Sequence, residues 1–265
     1  MTELRYDVAG SGPPLVLVHG LASSRRCWGL VVDDLARDFT VYAVDLPGHG
    51  ESDPVPGQVE TPATEMALAL GRFLDSQGID RAHLAGNSLG GWTVLEAAAD
   101  GRARSVVALC PAGLWEPITK PLAAIQFNRR SATALRSAIP AVMRIGPVRR
   151  ALMRTGVERT AQVPYEVAVD AALAQADARG FDQAHDGALH RAFERAASIP
   201  ASVPVTIAFG DNDRLLPYPR FQRRDLAPAH ARWDVLWNCG HAPMWDLPRV
   251  TTALIRDAAE RSGSA

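Results

Sequence analysis

Short, β-branched apolar runs alternate with amphipathic stretches of helical period at both ends of this chain, and that alternation most limits what it can fold into. Leu15-Val16-Leu17-Val18 is apolar throughout, as a strand covered on both faces must be. From Arg26 the apolar residues Cys27, Trp28, Val31, Val32 and Leu35 recur at helical spacing, with Asp33, Asp34 and Arg37 opposite. Thr40–Val44 reads as a strand, and Thr61-Pro62 opens a helix whose Met66, Leu70, Phe73 and Leu74 form one stripe before Gly78. Ala82–Ala85, Leu89–Ala99 and Ser105–Cys110 repeat strand, helix, strand, and a short strand around Leu4–Val8 precedes them all. Strands separated by helices pair through right-handed crossovers, so the expected fold is α/β: a mostly parallel sheet with helices on both faces.

The alternation stops at Pro111. From about Pro117 to Ile199 no strand is legible, only Ala- and Arg-rich helical stretches broken by Pro140, Pro147, Pro164 and Gly180, carrying Lys120 and 11 arginines against 7 acidic residues. After Pro204 the sheet pattern returns with Val205–Phe209, a helix near Tyr218–Leu226, a strand at Ala231–Leu236 and a helix from Pro248 to Ala259. The 265 residues therefore divide into a core, 1–112 with 203–265, and a helical insertion, 113–202.

A net charge of −1 gives no global attraction to nucleic acid or anionic membrane. No apolar run suits a bilayer span, and the first residues lack the apolar centre of a secretory signal. Cys27, Cys110 and Cys239 are too few and scattered for a disulfide framework, and no His/Cys cluster has metal-ligand spacing, so no cofactor or metal is expected. A cytoplasmic protein acting on a small molecule fits these features, with the oligomeric state left open.

The chemistry is concentrated in Gly86-Asn87-Ser88-Leu89-Gly90, a Gly-x-Ser-x-Gly segment that follows one expected strand and opens the next helix. Such a turn forces its serine into a strained backbone and exposes the hydroxyl at the sheet edge, which is why small residues must flank it. A serine needs a base, and the base needs a group that fixes its tautomer. Of the 7 histidines, His241 stands in Asn238-Cys239-Gly240-His241-Ala242-Pro243, directly after the last expected strand. His19, His49 and His83 fall in turns or strands where structural hydrogen bonding is the ordinary role, and His185, His190 and His230 read as exposed. For the acid, Gly210-Asp211-Asn212-Asp213 offers two aspartates after Val205–Phe209. The residue after the serine, Leu89, is expected to supply one backbone N–H to an oxyanion.

The order Ser, Asp, His, together with His19-Gly20, Asp45-Leu46-Pro47-Gly48-His49-Gly50-Glu51-Ser52, Gly86–Gly91 and Gly240-His241, resembles the α/β-hydrolase superfamily, in its lidded branch of serine esterases and meta-cleavage-product hydrolases. The resemblance covers nearly the whole chain. It implies a Ser88, Asp213, His241 triad, because the family's acid lies three residues after the glycine, with Asp211 as a turn former. It implies a second oxyanion donor at Leu21, a structural role for Asp45–Ser52, and a lid in the helical insertion. Trp92, Trp115, Phe127, Met244 and Trp245 are the side chains expected to line a substrate pocket.

Three functions are compatible with these residues. A carboxylic-ester hydrolase uses the triad through an acyl-enzyme. A C–C hydrolase of ring-cleavage products uses the same triad, but that branch typically has tryptophan after the histidine where this chain has Ala242-Pro243. A ligand-binding protein would keep the scaffold with vestigial catalysis. Related dehalogenases and epoxide hydrolases place aspartate where Ser88 stands.

Overall fold

The computed structural model describes residues 3–55, 62–117 and 123–263. Seven strands, β1 (Tyr6–Ala9), β2 (Pro14–Val18), β3 (Thr40–Val44), β4 (Ala82–Asn87), β5 (Ala103–Leu109), β6 (Val205–Gly210) and β7 (Arg232–Leu236), form one sheet in the order β1-β3-β2-β4-β5-β6-β7. Only β1 runs antiparallel, against β3. The sheet is the expected α/β arrangement.

The continuous apolar run of β2 has its reason in this order. β2 lies inside the sheet, and Leu15, Val16, Leu17 and Val18 are wholly buried, alternating between the cores on the two faces. Each such side chain contributes about 1.5–3 kcal/mol relative to exposure. One face is covered by α2 (Pro62–Ser76) and α3 (Leu89–Ala99), the other by α1 (Val32–Leu35) and α10 (Pro248–Gly263). In α2 the stripe Met66, Leu70, Phe73 and Leu74 is buried, and the chain turns away at Gly78, whose φ of 69° suits a residue without a Cβ.

Between β5 and β6 the described residues form helices and turns: α4 (Ala123–Ala134), α5 (Ile139–Arg144), α6 (Gly146–Met153), α7 (Tyr165–Asp177) and α8 (Phe181–Leu189). A short α9 (Pro243–Asp246) precedes α10. No described helix is long and apolar enough to cross a membrane. Thr61 and Lys120 lie outside the described residues.

Two expected helices take other forms. The stretch from Arg26 splits into a 3-10 turn, Arg25–Trp28, and the single α-turn of α1, because Gly29 interrupts it and Asp45 holds the Arg25 N–H and guanidinium. Trp28, Val31 and Leu35 are still wholly buried. The segment near Tyr218–Leu226 reduces to a 3-10 turn at Arg224–Leu226, since Pro217 and Pro219 lack the N–H groups an α-helix needs.

Candidate active site

Chain order reverses beside β2, with β3 on one side and β4 on the other, so the loops leaving the C-terminal ends of β2 and β4 diverge from one crevice. Val18 pairs with Gly86, which brings out His19-Gly20-Leu21 alongside Asn87-Ser88-Leu89. The loops touch: a Cβ on Gly20 would lie 2.9 Å from the Ser88 Cβ, so only glycine fits. Ser88 has φ 57° and ψ −119°, a conformation that costs an L-residue energy and persists only when the surroundings impose it. The imposition is visible. A Cβ on Gly86 would meet the Gly90 carbonyl at 2.2 Å, one on Gly90 would meet the Val18 carbonyl at 2.3 Å, and the Ser88 N–H donates to Leu109 at 2.9 Å. Ser88 is half-buried and faces a cavity, and Leu89, as first residue of α3, has an N–H without an intrahelical acceptor.

The loops after β6 and β7 approach with equal closeness, for a Cβ on Gly210 would strike the Gly240 carbonyl at 2.2 Å. Asp211 accepts the Cys239 N–H at 3.1 Å, while the Asn212 N–H donates to the Cys239 carbonyl at 2.9 Å. Asp213 reaches His241: its Oδ2 is 2.8 Å from Nδ1. Its Oδ1 accepts the N–H groups of Leu215 and Leu216, both at 2.9 Å. Burial by itself would raise the Asp213 carboxyl, but the facing His241 and these two N–H donors outweigh it and hold it below the usual carboxylate range. A carboxylate beside Nδ1 fixes the proton there and leaves Nε2 as the free ring nitrogen. The Asn87 amide ties the nucleophile turn to this loop by donating to the His241 carbonyl at 2.9 Å.

Among the described non-glycine residues, positive φ is confined to this edge. The positions are Ala22, Ser88, Cys110 and Asn238, which follow β2, β4, β5 and β7.

One buried residue with a large part in the site was not anticipated. Asp246 accepts the Gly240 N–H at 2.7 Å, the Glu158 N–H at 3.0 Å and the Arg159 N–H at 2.6 Å, while Gly156 accepts the His241 N–H at 2.8 Å. The histidine loop is thus gripped by the segment joining α6 to α7. The available signal was an acid five residues past His241, in an otherwise apolar Ala-Pro-Met-Trp stretch.

Two cavities meet at Ser88, Leu21 and His241. The larger, about 400 Å³, runs beneath the helices between β5 and β6 and is lined mainly by apolar side chains, among them Phe127, Ile139, Met143, Leu152 and Met244. The smaller, about 40 Å³, is lined by Leu89, Trp115, His185 and Leu189 among others. Of the residues expected in a pocket, Phe127, Met244 and Trp245 line the large cavity and Trp115 the small one. Trp92 lines neither: one helical turn past Ser88, it points into the core, where its indole N–H donates to Glu96 at 2.9 Å.

The remaining histidines divide by environment. His19 lies between the Gly20 carbonyl at 2.7 Å and the Leu46 N–H at 2.9 Å, and burial lowers its pKa. Burial pushes His49 and His83 down to about 4, and the charge of Arg104 adds to the effect on His83. These are neutral structural groups. His190 and His230 are exposed as expected, but His185 is not: it is 2% exposed, stacked on Phe181 along the inner face of α8.

Cys110, Asp213 and His241 place one ligand atom each within 4.8 Å of one another. The set does not suit a cation. Burial and the Asp213 charge raise the Cys110 thiol well above its usual value, and the other two groups are engaged with each other.

The chain is similar in sequence to known proteins. The chain is 32% identical over 200 residues to an epoxide hydrolase of Mycobacterium tuberculosis, covering 71% of this chain and 91% of that protein. It is 37% identical over 119 residues to the dihydrolipoyllysine-residue acetyltransferase component of the acetoin cleaving system of Cupriavidus necator, a match spanning 44% of this chain and 31% of that protein. Among solved structures, the enol-lactonase from Burkholderia xenovorans superposes with a TM-score of 0.76 at 22% identity, over 98% of this chain and 97% of the other, which is a likeness of fold. A family model described as the alpha/beta hydrolase family matches residues 15–254, and the chain belongs to that family.

Proposed function

We propose that the protein is a serine hydrolase that cleaves carboxylic esters through an acyl-enzyme, with residues 1–112 and 203–265 as its core and 113–202 as a cap over the site. The observation that carries this reading is the 2.8 Å contact of two buried groups, His241 and Asp213, beside a cavity that the strained Ser88 also lines. In this mechanism the Ser88 Oγ attacks the ester carbonyl while His241 Nε2 takes its proton, and Asp213 holds Nδ1–H and stabilises the imidazolium. The carbonyl π electrons move onto oxygen, where the N–H groups of Leu21 and Leu89 receive the charge. The C–O bond breaks as His241 returns the proton to the leaving alcohol. Water, deprotonated by His241, then releases the acid and restores Ser88.

Two relatives of this chemistry fare worse. Serine opening an epoxide would leave an ether, which this site has no means of hydrolysing, so turnover would stop after one event. C–C cleavage of a ring-fission dienoate requires polar groups beside the histidine to hold a carboxylate and ketonise the dienolate, whereas Ala242, Pro243 and Met244 form a buried, largely apolar stretch.

The test is a fluorophosphonate label with peptide mapping, run with a p-nitrophenyl ester panel and a ring-fission dienoate. Label is expected on Ser88, with Ser88→Ala losing at least about a thousandfold in turnover. Dienoate kcat/KM is expected at least about tenfold below the best ester. Label elsewhere, an active alanine variant, or a dienoate cleaved faster than every ester overturns the reading.

A further inference from the structure

The two cavities that meet at Ser88 differ in size and in chemistry, and one residue lining the smaller, His185, has an unused buried polar atom. His185 Nδ1 is 2.8 Å from the carboxylate of Asp186, an exposed residue at the outer side of α8. The other ring nitrogen, Nε2, is buried and has no hydrogen-bond partner among the described residues. The ring is stacked on Phe181 at 5.3 Å and 13°, so it is held in one orientation, and it lines the small cavity together with Ser88, Leu89 and His241. A buried polar atom without a partner costs roughly 1–3 kcal/mol. Because the Asp186 carboxylate requires a proton on Nδ1, the neutral ring offers a lone pair at Nε2. The remaining lining is apolar apart from Ser88 and His241.

We infer that His185 Nε2 accepts a hydrogen bond from a hydroxyl on the short limb of the substrate, so that the preferred ester joins one long apolar limb to one short hydroxylated limb. This rests on the ester-hydrolase reading of Ser88. The large cavity, about 400 Å³ and mainly apolar, takes the long limb. The small one, about 40 Å³, has room for about three water positions at roughly 10–15 Å³ each, which is a limb of three or four heavy atoms. His185 is then a substrate-binding residue that selects by chemistry, since a site built around a hydroxyl rejects the isostere lacking it far more strongly than an apolar pocket rejects one methylene. The hydroxyl can belong to the alcohol half or to the acyl half of the ester, and paired substrates separate the two.

The experiment compares kcat/KM for 2-hydroxyethyl octanoate against propyl octanoate, and for octyl glycolate against octyl propanoate, each ratio corrected for the hydroxide-catalysed rates. In the wild-type protein one pair is expected to favour the hydroxylated ester at least about tenfold, and the pair that does so assigns the limb. In His185→Phe, which keeps a ring on Phe181, that ratio should fall to within about twofold. In His185→Gln, whose amide oxygen reaches the position of Nε2, most of it should remain. Fluorophosphonate labelling of Ser88 reports folding in every variant, and His185→Gln carries the assignment if His185→Phe takes no label. Ratios near one for both pairs in an active wild-type protein overturn the role of His185 and leave the triad standing, as does a ratio that survives in labelled His185→Phe or vanishes in labelled His185→Gln. No turnover of any ester by protein that labels at Ser88 overturns both proposals.

Discussion

The loops at the C-terminal edge of the sheet and the helices that cover them are built on opposite terms. At the edge the backbone is forced: Ala22, Ser88, Cys110 and Asn238 hold positive φ, Gly20, Gly90 and Gly210 sit where a Cβ would collide with a neighbouring loop, and Gly86 sits where it would collide with the start of α3. In the covering helices no described non-glycine residue has positive φ, and apolar side chains reach the surface, with Phe127 71% exposed and Leu135, Ile145 and Leu152 about half exposed. Position is imposed by backbone contacts in one region and set by the packing of side chains in the other. An array of reacting groups requires the first, since small displacements are costly to a transition state, whereas a compartment for an apolar substrate tolerates the second.

The sharpest test of this contrast exchanges the two neighbouring acids at the edge. Asp213→Asn should lower kcat about a thousandfold or more, because an amide no longer fixes the His241 tautomer. Asp211→Asn, which keeps an oxygen to accept the Cys239 N–H, should cost less than tenfold. Steady-state kinetics on one ester decides, and the reverse ranking would move the acid to Asp211.

The next effect lies where the regions join. Asp246→Ala leaves three N–H groups without their acceptor, which costs on the order of 3 kcal/mol. That predicts a Tm lower by roughly 5–10 °C and a kcat reduced at least about tenfold, read by calorimetry and by single-turnover kinetics. An unchanged kcat would mean that the covering segment has no part in placing His241.

The covering helices should respond in substrate range instead. Ala172 lines the large cavity, and Ala172→Phe should lower kcat/KM for octanoate esters about tenfold while changing acetate esters by less than threefold. Equal losses on both would mean that the substitution disturbs the edge and not the compartment.

Much of the edge was legible in the sequence because its requirements are local. A glycine-flanked serine between an apolar run and a helix, or a Gly-His after a strand, needs no knowledge of distant contacts. Gly210-Asp211-Asn212-Asp213 was legible only in part, since choosing between the aspartates depends on which one the β7 loop meets. His185 and Asp246 were not legible: the burial of His185 follows from how α8 docks, and Asp246 acts through backbone groups nearly ninety residues away in sequence. The segments near Arg26 and Tyr218 were misread for a different reason, because apolar spacing persists where Gly29, Pro217 and Pro219 prevent a continuous helix.

The smallest effect concerns the buried core histidines. His49 and His83 have pKa values near 4 in the folded protein against 6.5 for an ordinary histidine, so the unfolded chain binds more protons between these limits. Stability is therefore full above about pH 6.5 and declines as pH falls toward about 4. His83→Gln should flatten the dependence of Tm on pH across that window while leaving kcat within about twofold. A slope identical to that of the wild-type protein would remove His83 from this balance.

The grip of Asp246 on Gly240, Glu158 and Arg159 also governs how the roof can move. A second fastening lies at the far end of α7, where the Gly180 N–H donates to the Gly48 carbonyl at 2.8 Å with the backbones too close for a side chain on Gly48. A roof pinned at both points cannot lift as a rigid plate. The span from α4 to α6, upstream of both pins, carries Phe127, Leu135, Ile145 and Leu152 on its surface and is tied to α7 by Arg136 on Asp177 and by the Tyr165 hydroxyl donating to the Pro140 carbonyl. The His241 loop and the two ends of α7 are therefore set by the same contacts to the sheet edge, so a change at either fastening reaches the histidine and the cavity wall together.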